Sequence, residues 1–250
     1  MNLLSVLYNE VFHQPLFNAL IFLTYLMPGR DAGLAIILLT VLVRFVLLPF
    51  THRALSAQNK LKELEPEINK IKEETKAKAD EQGRRIMELY KRHGVNPFSG
   101  CLIFLVQVPI FIALYRVFWK GISLGAGELY SWVPHPDFIQ TSFLGLIDLS
   151  GQSWLFAILA GVSQFLQMKL SFPSIPKGGP TMREEMSRAM AIQFVYVFPF
   201  VIFYVALRFP AALALYWTVT NLFDTVHKGF VAWKARKIYG ERGGKNKSDN

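Results

Sequence analysis

The sequence predicts an all-α polytopic membrane protein, and three observations lead there. Apolar residues make up 52% of 250 positions and collect in runs long enough to cross a bilayer. One of these runs, DAGLAIILLTVLVRFVLLPFTHR at 31–53, holds an arginine, Arg44, in its interior. Basic residues fall in the segments between or after the runs, so the net charge of +9 reads as membrane topology before it reads as nucleic-acid binding. The expected architecture is five transmembrane helices with a helical hairpin on the cytoplasmic side.

Residues 1–30 are expected to be an external N-terminal segment. No Lys or Arg precedes its apolar part, Glu10 lies there, and no small-residue cleavage site follows, so it makes a poor signal peptide. Residues 15–27, ahead of Pro28 and Gly29, give roughly 20 Å of helix, short for a span. A helix lying in the interface is expected, with a short re-entrant or tilted span as the competing reading. Tyr8, Phe12, Phe17, Phe22 and Tyr25 suit interfacial depth.

The first span is 31–53. Residues 32–50 rise roughly 28 Å, close to the thickness of a hydrocarbon core. Arg44 sits roughly 9 Å from the edge the chain leaves by. An unpaired guanidinium there costs at least about 2.5 kcal/mol unless it is hydrated or snorkels. It is either a snorkelling charge of topological use or the lining of a cavity open to one side.

Residues 54–97 turn polar and helix-favouring, with Pro66 near a first turn and Gly83 as an interruption. Leu61, Leu64, Ile68 and Ile71 recur at helical spacing, and Ile86, Met87, Leu89 and Tyr90 form a second narrow stripe. A lone helix leaves either stripe in water, which predicts two helices folded back on each other.

Asn96 and Pro97 read as cap and first turn of a second span, 98–118, which contains Gln107 and Pro109. Cys101, the single cysteine, excludes an intrachain disulfide and reads as a small packing residue. An external loop, 119–152, is rich in Gly, Pro and aromatics, with Lys120 its one basic residue. The third span, 153–170, carries Gln164 and Gln167 on roughly one face, which should look inward. After a basic loop at 171–188 come a fourth span, 189–207, with Gln193 and Pro199, and a tight external turn at 208–210. The fifth span, 211–230, holds Trp217, Thr218, Thr220, Asn221 and, near its far end, Asp224, within reach of the interface or of Lys228 one turn on. Residues 231–250 are a basic tail of flexible composition. The hairpin, the 171–188 loop and the tail hold most of the basic residues, which puts all three inside and the N-terminus outside.

Several stretches together resemble the YidC/Oxa/Alb family of membrane protein insertases. They are GLAIILLTVLVRFVLLPFTHRAL, LKELEPEINKIKEE, YKRHGVNPFSGCLIFLVQVPIFIALYR, FLGLIDLS, ILAGVSQFLQMKLS and FPAALALYWTVTNLFD, in the family's order. The resemblance implies a short bacterial form in the inner membrane, without the additional N-terminal anchor and large periplasmic domain of many relatives. It also implies five helices around an inward-open hydrophilic groove with a mobile hairpin. Arg44 matches the groove arginine and 15–27 the peripheral outer helix. Asp224 is more acidic than the family's usual residue at that place and would stand at the groove mouth.

On this reading Arg44, Gln107, Gln164, Gln167, Gln193 and Asn221 line the groove and hydrate a substrate's short polar flank while its apolar body enters lipid. No bond is made or broken. There is no nucleotide-binding loop, the five histidines form no ligand cluster, and no cofactor is implied. Expected partners are newly made membrane proteins and lipids, the ribosome through the tail, and, by resemblance, the Sec translocon. A small-solute transporter should show repeated halves and two-sided access, yet there is no clear repeat and the strongly charged span residue, Arg44, is displaced inward. A passive assembly scaffold is the third reading.

Overall fold

A computed structural model describes the backbone of residues 3–75, 78–96, 99–120, 129–134, 138–171 and 182–248, with side chains for most of these up to Trp233. Pro97, the Cys101 side chain, most of the 171–188 loop and the side chains of the basic tail lie outside the described residues. The described chain is helical apart from one small hairpin of strands. It divides into two compact units, residues 1–44 with 113–250, and residues 45–112.

In the first unit α1 (Leu3–Tyr8) leads through a π-helical turn, Asn9–His13, into α2 (Gln14–Leu26). A second π turn, Gln193–Val197, joins α8 (Met182–Ile192) to α9 (Phe198–Ala206). Each π turn stands just ahead of a proline in the first turn of the next helix, Pro15 and Pro199. A proline cannot donate to the carbonyl four residues back and its ring crowds that carbonyl, so the wider turn takes up the mismatch without ending the helix. α2 ends where Met27 turns extended and Gly29 takes a φ of 64°.

α3 (Ala32–Glu63) starts on Asp31, whose Oδ1 accepts the N–H groups of Gly33 and Leu34 at 2.7 and 3.1 Å. The helix passes Pro49 and runs ten residues beyond the predicted span. Past 53 it keeps good helix formers and meets no glycine or cap, so leaving an apolar layer gives the backbone no cause to stop.

β1 (Ser142–Phe143) and β2 (Ile147–Asp148) pair antiparallel around a turn in which Leu144 and Gly145 both have positive φ, 50° and 72°. This short hairpin ties helix starts together. Ala32 donates to the Gln140 carbonyl, Ala211 to that of Gly151 and Ala212 to that of Leu149, at 2.7–3.0 Å. The starts of α3 and α10 (Ala211–Ser248) are therefore fixed to one strap, and α7 (Trp154–Ser171) begins three residues after Gly151. α7 packs against α9 and α10. A Cβ on Gly161 would stand 3.0 Å from the Phe203 Cβ, so a glycine is what lets α7 and α9 approach.

In the second unit α4 (Glu65–Glu74) and α5 (Ala79–Arg92) pack together, and the first part of α6 (Ser99–Lys120), up to Ile112, carries Gln107 and Pro109. Leu64, Leu89 and Val95 form a small buried cluster, with Leu61, Ile68, Ile71 and Tyr90 against it. Met87, from the second predicted stripe, is exposed. The expected interruption at Gly83 is corrected: α5 runs through Gly83, and α4 has already ended at Glu74. A glycine costs a helix about 1 kcal/mol and does not stop it. α4 ends where Thr75 leaves helical geometry, at φ −112° and ψ 22°, while its hydroxyl and N–H still both reach the Ile71 carbonyl, at 2.6 and 3.0 Å.

Polar side chains share the interior with an apolar core, while many large apolar side chains face outward. On α3, Phe45, Val46 and Phe50 are exposed while Thr40 and Arg44 are buried. On α7, Leu155, Ile158, Leu159, Val162 and Leu166 face out while Ser163, Gln164 and Gln167 face in. Large apolar side chains outside and polar ones inside define a membrane-associated fold. Among the described residues, Ala32–Ala57 and Arg188–Ala206 are long and apolar enough to cross a membrane, and Gln107–Val117 is a shorter apolar stretch.

Candidate functional site

The inward polar residues of α3, α7 and α10 converge at one level. Arg44 lies twelve residues beyond the first residue of α3, and Gln167 and Asp224 each lie thirteen beyond the first residues of α7 and α10. At 1.5 Å per residue these are helix rises of roughly 18 to 20 Å. The strap fixes the starting level, and a nearly equal distance along each helix does the rest.

At that level Arg44 Nη1 stands 3.2 Å from Asp224 Oδ1, with the arginine side chain 5% exposed and the carboxylate 20%. Gln167 Nε2 donates to the other oxygen, Oδ2, at 2.8 Å. Gln164 Nε2 donates to Gln167 Oε1 at 3.3 Å, and Trp217 Nε1 donates to Gln164 Oε1 at 3.2 Å, which orients both amides.

α7 and α10 also meet along a polar ladder. Asn221 Nδ2 donates to Ser163 Oγ at 3.2 Å, Gln167 to Asp224, and Lys228 Nζ to Ser171 Oγ at 2.7 Å. The partners are 58, 57 and 57 residues apart, the nearly constant offset of two helices running parallel in register. Two further hydroxyls on α10, Thr220 Oγ1 and Thr225 Oγ1, are buried without a hydrogen-bond partner.

Of the residues expected from the sequence, Arg44, Gln164, Gln167, Asn221 and Asp224 thus fall in one region. Gln193 is exposed within the π turn ahead of α9. Gln107 is half-buried on α6 in the second unit. Asp224, expected to reach the interface or Lys228, turns to Arg44 and Gln167, because the strap sets α10 level with α3 and α7. Ser163 and Trp217 join the network without having been singled out as site residues. Serine and tryptophan are common in membrane helices, and only distance from the helix start, compared across 31–53, 153–170 and 211–230, would have marked Ser163 as level with Asn221.

An all-α membrane-associated chain with an arginine, a carboxylate and paired glutamines inside an apolar shell belongs to the proteins that keep polar chemistry within the bilayer. Comparison narrows the class. A sequence model of the family described as "60Kd inner membrane protein" matches residues 23–237. Among curated proteins, the chain is similar to the "Membrane protein insertase YidC" of Campylobacter jejuni, 33% identical over 207 residues, covering 83% of this chain and 34% of that protein. The proteins of the same name from Wolinella succinogenes and Geotalea daltonii are 33% and 31% identical, over 88% and 81% of this chain and 37% and 34% of theirs. The chain belongs to this family, that of the YidC/Oxa/Alb membrane protein insertases. It spans about a third of the length of the curated relatives it matches.

Proposed function

We propose that this chain is a membrane protein insertase and chaperone of the bacterial inner membrane. It would move short polar flanks and transmembrane segments into lipid without covalent chemistry. The observation that carries the reading is the buried Arg44–Asp224–Gln167 cluster inside helices with apolar outer faces, in a chain of this family. The barrier to insertion is desolvation of polar atoms, and fixed polar groups part-way through the bilayer replace part of the lost hydration.

In full, the proposal has five spans, 31–53, 98–118, 153–170, 189–207 and 211–230, with the N-terminus outside and the C-terminus inside. Arg44, Gln107, Gln164, Gln167, Gln193 and Asn221 line an inward-open hydrophilic groove, and Asp224 stands at its mouth. Residues 54–97 act as a cytoplasmic helical hairpin that receives substrate. Newly made membrane proteins and lipids are the partners, with a salt-sensitive ribosome contact through the basic tail and association with the Sec translocon.

Reconstitution tests it. Purified chain in lipid vesicles, with no other protein, should give a protease-protected fragment of a short membrane peptide bearing an acidic flank, well above empty vesicles. Binding of the peptide without protection would point to a scaffold. Protection equal to that in empty vesicles would overturn insertion.

A further inference from the structure

We infer that Asp224 sets the charge selectivity of this site. It acts as a resident counter-ion that neutralises Arg44 at rest and is exchanged for the carboxylate of an entering acidic flank. The inference rests on the insertase reading above and concerns how the same site discriminates between substrates.

Three features carry it. Arg44 is almost completely enclosed, whereas Asp224 is four times as exposed, so the carboxylate is the end of the pair that an incoming group reaches first. The two Asp224 oxygens are held separately, Oδ1 by the guanidinium and Oδ2 by the Gln167 amide at 2.8 Å. If Arg44 turns to a substrate carboxylate, Asp224 keeps a hydrogen bond and is not stranded without a donor. The amide that would keep it is itself held in place through Gln164 and Trp217.

The sign of the effect follows from charge counting. With Asp224 ionised, the Arg44–Asp224 pair is net neutral. An added acidic group makes it −1 where water is scarce, so attraction to acid is blunted and neutral or basic flanks are tolerated. With Asp224→Asn the pair becomes +1 at rest and neutral once an acidic flank arrives, so acid is strongly preferred. Asp224→Glu keeps the charge and should keep the wild-type selectivity.

The test reconstitutes the full chain as wild type, Asp224→Asn and Asp224→Glu. It measures initial rates of protease-protected insertion for one short membrane peptide carrying acidic, neutral or basic flanks. The quantity read is the acidic-to-basic rate ratio within each preparation, which does not depend on the fraction of active protein. The ratio should rise about fivefold or more in Asp224→Asn, the lower end of coupling between interacting sites, and stay near wild type in Asp224→Glu. An unchanged ratio in Asp224→Asn, or an equal loss for all three flanks, would show a helix clamp and overturn the inference while leaving insertion intact. A wild type that inserts none of the peptides would remove the insertase reading and this inference with it.

Discussion

Asp31 Oδ2 accepts the backbone N–H of Leu144 at 2.6 Å, across 113 residues of sequence. The other oxygen of the same carboxylate caps α3 through Gly33 and Leu34. One side chain thus starts the arginine-bearing helix and holds the β1–β2 turn in a left-handed conformation that a leucine seldom adopts. Gly33 lets the strap close, since a Cβ there would lie 2.3 Å from the Phe143 ring.

Asp31→Ala should therefore cost about 2 kcal/mol, combining a lost N-cap with a Leu144 N–H left without its acceptor. Thermal unfolding of the purified protein in detergent should show the loss. Asp31→Asn, which can still accept, should recover part of it. Wild-type stability in the alanine variant would mean that the strap does not set the start of α3.

Replacing Arg44 tests the cluster from its other side. Arg44→Ala leaves Asp224 without the guanidinium, so acidic-flank peptides should lose the most insertion rate and basic-flank peptides the least. Arg44→Lys should retain part of the rate, because charge survives without the planar fork. Combining Arg44→Ala with Asp224→Asn should narrow the spread between flanks again. Equal insertion kinetics of Arg44→Ala and wild type on the acidic-flank peptide would remove Arg44 from any direct role.

Asp148 gives a pH signature outside the spans. The Ser150 hydroxyl, then the Ser150 N–H, with a further contribution from Thr141, hold its carboxyl below the ordinary aspartate range. A folded-state pKa below the unfolded value, about 3.9, means that this contribution is complete above that pH. It fades as the pH falls through the lower folded value. The carboxyl 13C shift of Asp148 should accordingly titrate lower than that of a free aspartate, and Ser150→Ala should move the midpoint upward. An unmoved midpoint would show that Ser150 does not hold the carboxylate.

Topology is testable in sealed cells. Lys60, Lys177 and Lys245 should resist an impermeant amine reagent applied from outside. Leu146→Cys, placed at the turn where Leu146 is 84% exposed, should react with an impermeant thiol reagent in a Cys101→Ser background. External labelling of any of the three lysines would reverse the proposed orientation.

The all-helical, membrane-associated character was legible in the sequence because it depends on local quantities: runs of apolar residues, helix formers, and an arginine that lipid will not tolerate alone. Family membership was legible too, through linked stretches in a fixed order. Tertiary structure decided what Arg44 faces. Nothing local tells Asp224 to choose Arg44 over Lys228, since Lys228 lies one turn along the same helix and Arg44 lies 180 residues away. That choice comes from a strap at 138–151 that starts α3 and α10 at a common level, and from a similar count of residues down each helix. The same holds for Gly83: propensity marked the glycine as the break, but a glycine only weakens a helix, whereas α4 ends at Thr75 and the packing of Leu64 against Leu89 holds the reversed chain. The sequence by itself determined which residues are too polar for lipid, and the long-range hydrogen bonds of the fold determined which of them meet.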